Sequence, residues 1–173
     1  RLFAAGGWFV GGYDVNEAGL AALEAELGAA NCIARRLDVT DREAYRGALA
    51  EFATATGGRL DLLFNNAGIG KGGRFDEQSF EDIMAVVNVN FIGVLNGIHL
   101  AAPLLKATPN SLCFSTSSSS ATMGMPGIAV YSATKHAVKG LTESLSGEFA
   151  RYGVRVADTL PGLIDTPLIP DAL

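Results

Sequence analysis

A tyrosine and a lysine four residues apart, with a serine upstream, are the side chains in this sequence best suited to acid–base chemistry. The segment reads Tyr131-Ser-Ala-Thr-Lys135, and Ser118 lies thirteen positions before Tyr131. Residues i and i+4 of a helix share one face, so Lys135 would lie beside Tyr131, one turn further along. A cation beside a phenol favours its ionised form, which could exchange a proton with an alcohol or carbonyl oxygen. An ordinary pair on a helix surface would have the same spacing.

The composition indicates one domain that acts on a small molecule. The chain has 173 residues, of which 49% are hydrophobic and 18% charged, so it can bury a large core. Neither a linker nor a change of composition divides it, and residues 1–173 are predicted to form a single domain. The net charge is −5 and no run of five basic residues occurs, which argues against a nucleic-acid partner.

Several features bear on location and on metal chemistry. Cys32 and Cys113 lie far apart in apolar segments, as free thiols of a reducing compartment do, so a cytoplasmic protein is expected. We expect no membrane partner, because no apolar run approaches the roughly eighteen residues of a membrane span. Neither His99 nor His136 has a Cys, Asp or Glu at metal-ligand spacing, so no metal is predicted.

The four consecutive serines at 117–120 could suggest the nucleophile of a hydrolase. They lack the Gly-x-Ser-x-Gly elbow of that class, and no His is placed convincingly as a base, so the sequence does not favour a hydrolase.

Apolar runs alternate with helical patterns along the chain. The runs predict five buried strands, at residues 8–13, 32–37, 60–64, 112–115 and 154–160. Helical periodicity occupies residues 17–27, 41–56, 80–105 and about 127–152, with plausible caps near Asn16, Asp41 and Ser79. This alternation predicts an α/β protein with a doubly wound parallel sheet covered on both faces. Ligands of such sheets bind beyond the carboxyl ends of the strands.

Two acidic residues lie at predicted strand ends. Asp14 ends the first strand, where an acid could accept hydrogen bonds from the ribose hydroxyls of a dinucleotide and repel a 2′-phosphate. This favours NAD over NADP as the cofactor. Asp38 follows the second strand, directly before Val39, where it could bind the exocyclic amine of adenine. Each acid could instead cap or solvate a turn before the next helix.

Amides and glycines follow the later strands. The segment Asn65-Asn66-Ala67-Gly68 combines two amides with a permissive turn that allows close backbone approach to a ligand. Pro161-Gly162 begins a rigid turn after the last strand, which could also be an ordinary loop.

Asn90 is an unexpected amide within an apolar helical stretch. If it is buried it needs a hydrogen-bond partner, and it could hold a water molecule. A satisfied structural asparagine is the alternative, and Asn88 and Asn96 lie nearby.

Taken in order, these residues resemble the short-chain dehydrogenase/reductase family in its classical form. The resemblance rests on Asp14, Asp38, Asn-Asn-Ala-Gly at 65–68, Asn90, Ser118, Tyr131-x-x-x-Lys135 and Pro161-Gly162. It implies a three-layer Rossmann fold and an NAD(P)-dependent oxidoreductase. By position, the cofactor would be contacted by Asp14, Asp38, Val39, Asn66, Ala67, Gly68, Tyr131, Lys135, Pro161, Gly162, Ile164 and Thr166.

The resemblance also implies a role for each catalytic residue. Tyr131 would be the general acid/base, Lys135 would favour its ionised form and bind the nicotinamide ribose, and Ser118 would hold the substrate oxygen. Asn90, which matches the family's Asn-x-x-Gly pattern, would anchor a proton-relay water. The substrate would be a small, apolar alcohol or ketone, and Met123, Met125, Pro126, Leu163 and Leu168 would line its entrance by position. A non-catalytic NAD-binding sensor or scaffold on the same fold is the alternative.

The sequence departs from the family pattern in two places. The Gly-rich turn Thr-Gly-x-x-x-Gly-x-Gly and the strand before it are absent, and Arg1 to Gly7 resembles the tail of the helix that follows this turn. We therefore expect about fifteen to thirty further residues before Arg1, including a central strand. The resemblance also leads us to expect a last strand and most of a substrate lid after the end of this sequence. Family members are commonly homotetramers or homodimers, which is the expectation here.

Overall fold

The computed structural model describes residues 1–162 and residue 164. Its main elements are α1 (Leu2–Ala5), β1 (Val10–Asp14), α2 (Glu17–Leu27), β2 (Cys32–Arg36), α3 (Arg42–Ala55), β3 (Leu62–Asn65), α4 (Phe80–Val87), α5 (Gly93–Ala107), β4 (Leu112–Thr116), α6 (Ala129–Ala150) and β5 (Arg155–Thr159). Three short helical turns, Phe75–Glu77, Asn88–Ile92 and Ser119–Ala121, complete the described secondary structure. The predicted alternation of strands and helices is confirmed.

All pairings between these strands are parallel. β1 pairs with β2, and β4 lies between β3 and β5 in a second group. The prediction of a Rossmann-type α/β fold with a parallel sheet is confirmed. Within the described residues the strands form two separate sheets rather than one, and a cavity of about 600 Å³ is lined by residues of β1 and β3. The expected additional strand before Arg1 stays a prediction.

Helices cover both faces of β1. A Cβ atom added at Gly12 would lie 2.5 Å from Cδ2 of Leu23 in α2, whereas one at Gly11 would lie 2.9 Å from the Phe52 ring in α3. Successive residues of a strand point to opposite faces, so α2 and α3 pack against opposite sides of the sheet. Glycine is used twice in succession because each helix approaches the strand too closely for a side chain.

The main hydrophobic core lies between the second sheet and helices α5 and α6. Its buried members are Leu60, Leu63, Val94, Ile98, Ala101, Leu105, Cys113, Val138, Val154 and Val156. Alternate residues of β3 and β4 are buried in this core. On the opposite face, Phe64 is 47% exposed and its ring lies 5.4 Å from that of Phe114. Both cysteines are free and buried, as expected.

The apolar stretch predicted as one helix is continuous but not regular. A π-helical turn at Asn88–Ile92 joins α4 to α5. The next residue, Gly93, packs against Val39, because a Cβ atom added at Gly93 would lie 2.5 Å from Cγ2 of Val39. By length and composition alone, Phe80–Ala107 could cross a membrane, with a mean hydropathy of 1.7 in its most apolar window. Core helices of soluble proteins pass the same test, and here α5 packs against α3, β3 and β4.

The predicted helix caps are confirmed. Asn16 accepts a hydrogen bond from Gly19 N, Asp41 accepts from Glu43 N and Ala44 N, and Ser79 accepts from Asp82 N. Each side chain satisfies backbone donors that have no partner inside the helix, which fixes where α2, α3 and α4 begin.

Candidate active site

Lys135 lies at the centre of the candidate site. The side chain is only 4% exposed, and its Nζ donates a 2.7 Å hydrogen bond to the carbonyl oxygen of Thr116, at the end of β4. Nζ also lies 5.5 Å from the centre of the Tyr131 ring, so the i, i+4 spacing on α6 places the two side chains together as predicted. Burial lowers the pKa of the Lys135 ammonium to about 8.

Ser118 begins the short helical turn after β4, and the residues on either side of it fix its position. The hydroxyl of Ser117 donates to the carbonyl oxygen of Lys135 at 3.1 Å, and the backbone N–H of Ser119 donates to the carbonyl oxygen of Pro161 at 2.9 Å. The loop is therefore attached both to α6 and to the chain that follows β5. Ser118 is buried, at 8% exposure, between these two attachments.

Asn90 is completely buried and holds a backbone segment in place. Its Oδ1 accepts from Ile69 N at 2.8 Å, and its Nδ2 donates to Ile69 O at 2.9 Å. A Cβ added at Gly68 would lie 3.4 Å from Asn90 Oδ1 and 3.7 Å from Lys135 Nζ. The structure thus brings Gly68, Asn90 and Lys135 together, and the amide of Asn90 is engaged with Ile69 rather than pointing at solvent.

The two acids at strand ends line the 600 Å³ cavity. Asp14 is exposed, and its Oδ1 accepts from Asn16 N at 2.9 Å. Asp38 accepts from the backbone N–H and the hydroxyl of Thr40, at 2.9 and 2.8 Å, and these hydrogen bonds hold the pKa of the Asp38 carboxyl below its usual value. Both acids therefore also stabilise local turns, which the sequence left open as an alternative.

The other predicted cofactor residues divide between the cavity and the end of β5. Val39, Asn66, Ala67 and Gly68 line the cavity with the two acids. Oδ1 of Asn66 accepts from the Thr116 hydroxyl at 2.9 Å, which links the ends of β3 and β4. Pro161 follows β5, and Gly162 and Ile164 are exposed. Thr166, Leu163 and Leu168 lie outside the described residues. The cavity is lined by neither Ser118 nor Tyr131, so the two predicted parts of the site occupy different positions along the strand ends.

Four residues that contribute to the site were not predicted from the sequence. Thr116 is hydrogen-bonded to both Lys135 and Asn66. Ser117 is hydrogen-bonded to Lys135, and Ile69 to Asn90. Ser120, inside the serine run, donates to Ser118. A sequence signal existed only for the serines, as a polar run following an apolar strand, and it did not indicate which hydroxyl contacts which partner.

Parallel strands flanked by helices, with polar side chains meeting at their carboxyl ends, define a Rossmann-type α/β protein. The family model described as short chain dehydrogenase matches residues 1–172. The chain therefore belongs to the short-chain dehydrogenase family.

Relatives of known name agree with this family. The chain is 38% identical over 125 residues to the cyclohexanol dehydrogenase of Acinetobacter sp. (strain SE19), an alignment that covers 72% of the chain and 50% of that relative. It is 37% identical over 166 residues to a 2,5-dichloro-2,5-cyclohexadiene-1,4-diol dehydrogenase of Sphingobium indicum, covering 92% of the chain and 66% of the relative.

A solved structure has the same fold. The crystal structure of a short-chain dehydrogenase/reductase from Burkholderia phymatum in complex with NAD superposes with a TM-score of 0.86 at 32% identity. This similarity covers 91% of the chain and 58% of that structure. The chain spans about half the length of the first curated relatives it matches.

Proposed function

We propose that the protein is an NAD-dependent oxidoreductase that interconverts a hydroxyl and a carbonyl group on a small, apolar substrate. The observation that carries the proposal is the buried ammonium of Lys135, 5.5 Å from the Tyr131 ring and hydrogen-bonded to the strand that leads into Ser118. Burying a cation costs free energy, so a buried ammonium is more often found where it has a functional role. Here it lies beside the phenol whose ionised form the reaction requires. Its presence favours a catalytic protein over a scaffold on the same fold.

The chemistry assigned to the chain is proton transfer at the substrate oxygen. In the oxidising direction the alcohol proton moves to the phenolate oxygen of Tyr131, while the carbon–hydrogen bond breaks and a carbonyl double bond forms. The positive charge of Lys135 stabilises the phenolate, and the Ser118 hydroxyl donates a hydrogen bond to the substrate oxygen. Asn90 keeps the Gly68–Ile69 backbone beside Lys135. Reduction follows the same steps in reverse, with Tyr131 as the acid.

The residues present fit a nicotinamide dinucleotide. Asp14, Asp38, Val39 and the 66–68 turn are among the residues that line the cavity beside β1 and β3, and most of its other lining residues are apolar. At Gly68 an added Cβ would lie 3.7 Å from Lys135 Nζ, so the lack of a side chain lets the 66–68 turn pack closely beside this ammonium. When bound, the nicotinamide ring accepts or supplies the hydride. We assign the adenosine side to Asp14, Asp38 and Val39, and the nicotinamide side to Lys135, Pro161 and Gly162.

A cyclic secondary alcohol is the substrate class we favour. Both named relatives are, by name, dehydrogenases of six-membered-ring alcohols. Two methionines follow Ser118 closely in the chain and are exposed, Met123 at 65% and Met125 at 47%. Flexible thioether side chains of this kind suit an apolar ligand of variable shape. A cytoplasmic homodimer or homotetramer remains part of this proposal.

The proposal is tested by assaying the full-length protein with NAD and a panel of secondary alcohols that includes cyclohexanol. Tyr131→Phe is expected to lower kcat by about 100- to 10,000-fold, because it removes the proton acceptor. Tyr152→Phe is the matched control, since Tyr152 lies beyond the end of α6 and is 42% exposed. Equal turnover in wild type and Tyr131→Phe would exclude the mechanism, and a protein that binds NAD without turnover would favour a sensor.

Cofactor preference has a separate test at Asp14. Asp14→Asn keeps a side-chain oxygen for the Asn16 N–H and removes only the charge, whereas Asp14→Ala removes both. If the charge repels a 2′-phosphate, either substitution improves the affinity for NADP by about fivefold, because two like charges about 4 Å apart in water repel each other by about 1 kcal/mol. An effect of Asp14→Ala that is absent in Asp14→Asn would assign the residue to the turn alone.

A further inference from the structure

Ser120 has a buried hydroxyl that is directed at the candidate catalytic serine. Its side chain is 3% exposed, and its Oγ lies 2.8 Å from Oγ of Ser118. The backbone N–H of Ser120 also donates to Ser118 Oγ, at 3.2 Å. The same residue therefore contacts the Ser118 hydroxyl oxygen twice.

The number of hydrogen bonds that a hydroxyl can form decides what Ser118 can still do. A serine hydroxyl has one donor and two acceptor positions. The backbone N–H of Ser120 occupies one acceptor position, and the Ser120 hydroxyl, if it donates, occupies the other. The proton of Ser118 is then its only remaining group, so Ser118 acts solely as a donor.

We propose that Ser120 is a positioning residue that, by donating to Ser118 Oγ, makes Ser118 an obligatory hydrogen-bond donor to the substrate oxygen. This assignment rests on the proposed function of the site. It has two chemical consequences. A hydroxyl that accepts hydrogen bonds is a stronger donor, which favours the negative charge that develops on the substrate oxygen. An alcohol substrate also finds no free lone pair on Ser118, so its proton is directed to Tyr131.

Hydrogen bonds hold the loop that carries the two serines. Ser117 is hydrogen-bonded to Lys135 of α6, and Ser119 is hydrogen-bonded to Pro161. The turn that carries Ser120 is therefore held on both sides of Ser118. The neighbouring Ser119 offers a matched control, because its side chain is exposed while that of Ser120 is buried. Ser119→Ala and Ser120→Ala make the same chemical change, the first one residue after Ser118 and the second two residues after it.

The test is a double-mutant cycle in the full-length protein, with NAD and its best secondary alcohol. Ser120→Ala is expected to lower kcat/KM about five- to tenfold, chiefly through kcat, the size of one lost hydrogen bond to a group that gains charge. Ser119→Ala should be within about twofold of wild type on the same scale. In the Ser118→Ala background, Ser120→Ala should have no further effect, because it acts through Ser118.

Each result of the cycle decides the proposal. If more than half of the logarithmic effect of Ser120→Ala persists without the Ser118 hydroxyl, Ser120 has an independent, structural role and the proposal is wrong. It is also wrong if Ser120→Ala behaves like Ser119→Ala. Tyr131→Phe, assayed in parallel, separates failure of the proposed function from failure of the positioning role. Unchanged turnover in Tyr131→Phe overturns the proposed function. If Tyr131→Phe loses turnover but the effect of Ser120→Ala does not depend on Ser118, only the positioning role is overturned.

Discussion

Replacing Lys135 with methionine is expected to abolish activity and to stabilise the fold at neutral pH. The ammonium is nearly fully buried, and burial lowers its pKa from 10.5 to about 8. At about 1.4 kcal/mol per pKa unit, the charged lysine destabilises the folded state by about 3 kcal/mol. Methionine removes this penalty and fills a similar volume, but it gives up the hydrogen bond to Thr116 O, which contributes about 1 kcal/mol. The expected net gain is about 2 kcal/mol.

The pH dependence of this gain has a definite sign. Below pH 8 Lys135 is protonated in both the folded and the unfolded protein, so the wild type bears the full penalty. Between about pH 8 and 10.5 the unfolded state binds more protons than the folded state, so the stability contributed by this group rises with pH. The advantage of Lys135→Met should therefore be largest near pH 7 and disappear as the pH rises through this range.

Urea denaturation of the cofactor-free protein from pH 6.5 to 10 measures both effects. Lys139→Met is the control on the same helix: Lys139 pairs with Glu143 at the surface, its pKa is raised, and its replacement should bring no gain. A Lys135→Met variant less stable than wild type at pH 7, or a difference that does not change with pH, would refute the reasoning. Loss of turnover in the more stable variant would show that the charge serves catalysis at the expense of stability.

Three further substitutions test other contacts. Asn90→Ala should lower the free energy of unfolding by about 1–3 kcal/mol, because it removes the two hydrogen bonds between the buried amide and the half-buried backbone of Ile69; urea denaturation measures this, and a loss below about 0.5 kcal/mol would contradict it. Asp41→Ala should cost about 1 kcal/mol through the lost cap of α3, and Asp41→Asn should recover most of it in thermal unfolding. Gly93→Ala should weaken NAD binding in fluorescence titrations, because the new methyl group would displace Val39. Adding Val39→Ala to this variant should restore binding. An unchanged affinity for NAD in Gly93→Ala would contradict the prediction and mean that the Val39 loop adapts freely.

Much of the fold follows from local patterns in the sequence. The strand and helix order, the caps at Asn16, Asp41 and Ser79, and the spacing that places Tyr131 beside Lys135 all depend on residues within one or two turns of each other. Local periodicity and capping are sufficient to predict such features.

The irregular parts were not predictable in this way. The apolar stretch that reads as one helix contains a π-helical turn at Asn88–Ile92, and helical periodicity cannot distinguish it from an α-helical turn. Which strands pair, and in which register, was not predictable from local patterns either, because strand pairing joins segments far apart in the chain.

The sequence by itself determined the α/β class, the family and the chemical types of the candidate site, because these depend on residue identity, order and spacing. Only the tertiary structure decided that Lys135 is buried against Thr116, that Asn90 holds Ile69, and that Ser120 donates to Ser118. The first two contacts join segments about twenty residues apart, and the third depends on the geometry of a turn whose burial is set by its neighbours. Desolvation and hydrogen-bond partners depend on three-dimensional packing, so the sequence could indicate which side chains are chemically capable but not what surrounds them.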